Sequence, residues 1–174
     1  MILHKIIPVG AYEANCVVLW NEEYAMVLDP GQDAEFLLAF LSERKLALKA
    51  ILLTHGHFDH VGAVKAIVEA TGCKLWMSES DWSQKKTPMT AYFYPIANCD
   101  FTEVRFCEDG EVIRAGGLDF TTIATPGHTW GSVCYLCVDA LFSGDTLFAG
   151  SCGRTDLPGG DWNTIAESLK RLAS

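Results

Sequence analysis

Ala50-Ile51-Leu52-Leu53-Thr54-His55-Gly56-His57-Phe58-Asp59-His60 is the stretch from which the rest of the chain is read. Its first four residues form an apolar run of the length of a buried strand. After it, Val61 to Ala70 places Val61, Val64, Ile67 and Val68 at helical spacing. Three imidazoles and a carboxylate therefore crowd the turn between the carboxyl end of a strand and a helix, where open α/β sheets carry their ligands. Neutral imidazole and carboxylate are donors that zinc and iron accept. The chain has five His in all, and three of them fall in this loop. That crowding favours a metal site over a solvated surface turn. Gly56, between the first two His, lets the backbone turn sharply so that both rings face one point.

Working outward, strand-like runs precede the cluster at Leu3 to Ile7, Asn15 to Trp20 and Tyr24 to Asp29. Asp29-Pro30-Gly31 stops the third at a turn. A helix is expected from about Asp33 to Lys45, with Phe36, Leu37, Phe40 and Leu41 on its apolar face and Asp33 as N-cap. Lys74 to Met77 reads as a further strand. Ser80 to Asp100 has no clean period, with Trp82, Tyr92, Phe93 and Tyr94 interleaved among Pro and Lys. It reads either as a lid over the metal site or as a short helical excursion packed by its aromatics. Strands return at Val104 to Phe106, Glu111 to Arg114, Leu118 to Ile123, Ser132 to Val138 and Ala140 to Phe142. Trp162 to Ala173 closes as a helix with Ile165, Leu169 and Leu172 on one face, capped by Asp161 or Asn163. This order predicts two packed sheets with helices outside.

The chain has 174 residues and a formal net charge of −9. That length fits one domain, 1–174. The acidic balance argues against a nucleic-acid surface, which would show a basic face, and against adhesion to anionic membranes. No apolar run approaches the roughly 20 residues needed to span a bilayer, and the first residues do not read as a signal peptide. Seven scattered Cys are an odd number, which fits reduced thiols and a cytoplasmic location better than a disulfide framework. Cys134 and Cys137 match C-x-x-C formally, but residues three apart on a strand point to opposite faces.

Two later sites add donors. His128 follows a Pro-Gly turn in Thr125-Pro126-Gly127-His128-Thr129, and Asp145 ends the strand before it in Ser143-Gly144-Asp145. Taken with Thr54 to His60, these motifs resemble those of the metallo-β-lactamase superfamily, in the family's order and from about Asn15 onward. The resemblance implies a four-layer αββα sandwich with the site along one edge of the sheets. It places one metal on His55, His57 and His128, and a second on Asp59, His60 and a later His, with Asp145 bridging the two. The implied cofactor is zinc, one or two ions, with iron or manganese as alternatives.

Gly153-Arg154-Thr155-Asp156 looks most like the glyoxalase II group, the hydroxyacylglutathione hydrolases, although related persulfide dioxygenases carry it too. The implied reaction is thioester hydrolysis, with hydroxide on the metals held by Asp59 and attacking the carbonyl of a small glutathione or other thiol ester. Arg154 would grip a substrate carboxylate or pair with Asp156, and Tyr92 and Tyr94 are expected at the substrate. No His follows His128, so the family's last ligand, strand and helix are expected to be missing from a C-terminally incomplete chain. The alternatives are a mononuclear iron persulfide dioxygenase on His55, His128 and Asp145, and a metal-binding protein without turnover.

Overall fold

The computed structural model describes residues 2–84, 88–98 and 104–174. Its first sheet has six strands in the order β1 (Leu3–Val9), β2 (Ala14–Trp20), β3 (Tyr24–Leu28), β4 (Ala47–Leu52), β5 (Lys74–Met77) and β6 (Val104–Phe106). The β1–β2–β3 meander is antiparallel, and β3 through β6 pair in parallel. The second sheet is antiparallel, ordered β10 (Ala140–Phe142), β9 (Val133–Cys137), β8 (Leu118–Ala124), β7 (Val112–Ala115).

Side-chain alternation assigns each strand residue to a layer. Met26, Leu28, Ala50 and Leu52 face inward and meet Ile113, Leu118, Phe120, Val133 and Tyr135 of the second sheet. The intervening Ala25, Val27 and Ile51 face outward, where Leu37, Phe40 and Leu41 of α1 (Ala34–Glu43) and Val64 and Ile67 of α3 (Val64–Thr71) cover them. A central parallel strand buried on both faces must be apolar at every position, which is why Ala50 to Leu53 lacks alternation. Beside the second sheet, α6 (Trp162–Leu172) is tied to the exit of β8 by Ser168 Oγ on the Pro126 carbonyl and by Arg171 on the Ala124 carbonyl and Asp109. The four-layer αββα sandwich is the arrangement that results.

Several local expectations are corrected. Asp33 takes the N-cap position of α1 but in a left-handed conformation, and its carboxylate accepts from the Gly10 N–H instead of from the helix. The helix expected over Val61 to Ala70 is divided into α2 (Phe58–Val61) and α3. At the break the Ala63 N–H turns to the Pro30 carbonyl, and a Cβ on Gly62 would meet the Gly31 oxygen at 2.3 Å. Asp161 does cap α6, accepting from the Thr164 N–H at 2.7 Å. Ile165 is buried there, while Leu169 and Leu172 are half-buried. The stretch after β5 is the helical excursion: α4 (Glu79–Trp82), α5 (Pro88–Phe93) and a 3-10 turn, Pro95–Asn98. Residues 85–87 and 99–100 of that stretch lie outside the described residues. Cys134 and Cys137 are both buried, and of the two Cys137 packs between the sheets.

Candidate metal centre

The site sits where loops leave the carboxyl ends of β4 and β8. The β4 loop delivers His55, His57 and His60, and the β8 loop delivers His128; all four are buried. The rings of His55, His57 and His128 stand 4.7 to 4.8 Å apart, centroid to centroid, nearly perpendicular to one another. One donor atom from each of these three falls within 4.8 Å of the others, and the same holds for His55, His60 and Asp145. Asp145 faces both groups: one carboxylate oxygen lies 3.2 Å from His60 Nε2 and the other 3.6 Å from His128 Nε2. Asp59 stands further out, 3.9 Å from His60 Nε2 and partly exposed. Its side chain faces a cavity of about 1000 Å³ that runs between the β1–β2 hairpin and β10.

The hydrogen bonds behind the rings decide which nitrogen is free. Asp29, at the end of β3, accepts from the Thr54 N–H at 2.8 Å, from the Thr54 hydroxyl at 2.6 Å and from His60 Nδ1 at 3.0 Å. With its proton given to Asp29, the Thr54 oxygen can only accept from His55 Nδ1, 3.1 Å away. His128 Nδ1 donates to the Arg154 carbonyl at 2.7 Å. His55 and His128 are thereby fixed as tautomers whose Nε2 lone pairs point inward. Among the described residues His55 Nε2 and His57 Nε2 are buried with no hydrogen-bond partner, while His57 Nδ1 lies 3.0 Å from His128 Nε2. An orphaned buried acceptor such as His55 Nε2 is costly, and a divalent cation bound by nitrogen and carboxylate oxygen would satisfy it. The residues present therefore fit a metal.

Protonation follows the same logic. Burial, with neighbouring imidazoles adding to it, lowers His55 well below its ordinary value and His57 to about 3. Burial also lowers His128. For His60 burial acts in the same direction, but the Asp29 and Asp145 carboxylates outweigh it and raise the group to about 10. A proton on His60 thus satisfies Asp145 where a cation would otherwise do so. Burial works to raise Asp145, yet its contacts with His60 and the other imidazoles hold it below the usual carboxylate range.

The remaining expected residues are dispersed. The Arg154 guanidinium is exposed and bidentate to Asp156 at 2.7 Å, so only its backbone carbonyl touches the centre. Tyr92 is exposed on the rim beside Phe58. Tyr94 is a correction: it is fully buried, packs 5.0 Å from the His57 ring and donates its hydroxyl to the Pro158 carbonyl. Its position supports the metal loop and leaves no free edge for a substrate. Gly56 is needed for space, since a Cβ there would meet the Tyr94 ring at 2.9 Å. Asp29 and Asp81 are buried carboxylates of the site that the motifs do not mark. Asp29 had a signal, a carboxylate at a strand end like Asp145, whereas Asp81 lies in the stretch without a period.

A sandwich that gathers four imidazoles and a carboxylate at its strand ends is the scaffold of a metal-binding hydrolase. The chain belongs to the metallo-beta-lactamase superfamily, whose family model matches residues 9–174. It is 39% identical over 173 residues to hydroxyacylglutathione hydrolase GloC of Haemophilus influenzae, covering 95% of this chain and 82% of that protein. Among solved structures it is similar to the BLEG-1 B3 metallo-beta-lactamase, with 34% identity and a TM-score of 0.84 over 97% of this chain and 84% of that one. It is also similar to TTHA1623, solved in a di-iron-bound form, at 36% identity and a TM-score of 0.79 over 97% of this chain and 85% of that one. The superfamily binds divalent metals. No described helix is long and apolar enough to cross a membrane.

Proposed function

We propose that this protein is a metal-dependent thioester hydrolase acting on small hydroxyacylglutathione-type substrates. The observation that carries the reading is the set of inward-facing nitrogens of His55, His57 and His128 beside the two-sided carboxylate of Asp145. The thioester part rests on the similarity to hydroxyacylglutathione hydrolase GloC. His55, His57, His128 and Asp145 would hold a divalent cation, which would supply carbonyl polarisation and a bound water whose pKa falls to about 7. Zinc is the proposed ion, with iron or manganese as the alternatives.

The chain's own residues supply orientation and proton handling. Asp29 holds His60, Thr54 holds His55 and the Arg154 carbonyl holds His128, which fixes the orientation of three of the four rings; the His57 Nδ1–His128 Nε2 hydrogen bond would give way to the ion. Asp59, partly exposed toward the cavity, would accept the proton of the attacking water. The thiolate departs readily, so little acid assistance is required. Tyr92 on the rim is the proposed substrate contact. Arg154 would have to exchange Asp156 for a substrate carboxylate before it could contribute.

The deciding experiment supplies S-lactoylglutathione to zinc-, iron- and manganese-loaded protein and follows thiol release. Turnover that falls at least a hundredfold in His57→Ala is the expected result. Absence of thiol release with all three metals would refute the reading. Oxygen uptake on glutathione persulfide by the iron form would then favour the dioxygenase alternative, and silence in both assays would favour metal binding without turnover.

A further inference from the structure

Asp81, on the short helix α4, is fully buried although no charged motif surrounds it. One of its oxygens accepts from the Gly56 N–H at 2.9 Å and from the Thr129 hydroxyl at 2.8 Å. The other accepts from the Gly131 N–H at 2.8 Å. Gly56 lies between His55 and His57, while Thr129 directly follows His128 and Gly131 comes two residues later. A single carboxylate therefore fastens the loop that leaves the first sheet to the loop that leaves the second. Those two loops carry the entire three-imidazole set.

The packing around this joint is close on every side. A Cβ on Gly131 would come within 2.8 Å of the Asp81 carboxylate, and one on Gly56 within 3.3 Å of the Asp81 Cβ. The Thr129 oxygen is held in turn by Ser132 Oγ at 2.7 Å. Burying a carboxylate is expensive, and among the described residues no ion pair offsets it at Asp81; three hydrogen bonds do so instead. If the fold needed only a filled core at this point, an apolar side chain would serve at lower cost. What an apolar side chain cannot do is set the distance and angle between two backbone loops.

We infer that Asp81 is a positioning residue of the metal centre, fixing the His55–His57 loop against the His128 loop so that three nitrogens converge on one ion. It touches neither ion nor substrate. The inference rests on the metal-site reading of His55, His57 and His128 and is independent of which substrate is cleaved.

The test compares the wild-type chain, Asp81→Asn and Thr129→Val. Zinc affinity is measured by chelator competition, and the visible spectrum of each protein is recorded with saturating cobalt(II). Near-ultraviolet circular dichroism establishes that each variant is folded. Asp81→Asn should bind zinc about tenfold or more weakly, and its cobalt bands should move, because a merely structural role would leave coordination geometry unchanged once the protein is folded. Folded Asp81→Asn with wild-type zinc affinity and an unaltered cobalt spectrum would overturn the inference. Should Asp81→Asn fail to fold, Thr129→Val decides, since it removes one of the three bonds at nearly constant volume. A roughly threefold loss of affinity supports the inference, and none overturns it. Wild type that binds no zinc would refute the metal-site reading and the inference together, whereas zinc binding without thioester turnover would count against the proposed substrate alone.

Discussion

Single residues set the proton balance of the centre, and each group carries its own sign. His57, lowered to about 3, and His55, lowered well below its ordinary value, stay neutral in the fold while the unfolded chain takes up protons below 6.5, and His128 is shifted in the same direction. Stability therefore falls as pH drops from 6.5 toward 3, and the depressed Asp145 adds to the loss. His60 has the opposite sign: raised to about 10, it keeps a proton that the unfolded chain releases above 6.5, so its contribution disappears as pH rises toward 10. Asp81, raised by burial to about 6, opposes the acid loss, but it is one group against three lowered imidazoles. Metal-stripped protein should accordingly be most stable near neutrality, with lower urea midpoints at about pH 5 and about pH 8.5. A midpoint climbing steadily across that range would contradict the assignment of His60.

At the scale of elements, close backbone contact decides where the ligand turn lies. Gly31 follows the Asp29-Pro30 turn, and a Cβ on it would coincide with the Asp59 carbonyl, 1.6 Å away. Gly31→Ala should therefore push α2 outward, costing about 1–3 kcal/mol of stability and displacing Asp59 and His60 together. Denaturant titration gives the first figure. Metal stoichiometry gives the second: where two ions bind, the one proposed at Asp59 and His60 should be lost before the one at His55, His57 and His128. Unchanged stoichiometry would show that α2 shifts without consequence. This contact also marks what sequence could and could not convey. The strands around β4 were legible because a strand buried on both faces must be continuously apolar, and the donors were legible because His is scarce and here clustered. Asp145 and His128 were visible as polar residues at strand ends. Tyr94 was misread because an aromatic in an unpatterned stretch gives no sign of whether it faces solvent or the underside of a ligand loop. Asp81 gave no sign at all: its partners are two backbone N–H groups and one hydroxyl, and backbone donors leave no trace in a sequence. The break between α2 and α3 was hidden for the same reason, since it depends on a carbonyl from a distant turn.

The whole molecule carries a net charge of −9, and the proposed substrate is itself an anion. Their repulsion is long-ranged at low ionic strength and is screened within about 8 Å at physiological salt. Raising salt from about 10 to about 150 mM should therefore increase kcat/KM for S-lactoylglutathione by roughly twofold, acting on encounter and leaving kcat unchanged. A fall in kcat/KM over that range would point to a local positive funnel around Arg154 that outweighs the global charge.

Because His55 and His57 leave one sheet and His128 leaves the other, a partly folded intermediate in which the two halves have not yet met offers an ion only fragments of a cage. Tight loading is thereby reserved for molecules that have finished assembling. Retention of the ion during chelator challenge after refolding would then act as a checkpoint, sorting completed copies from those still under way.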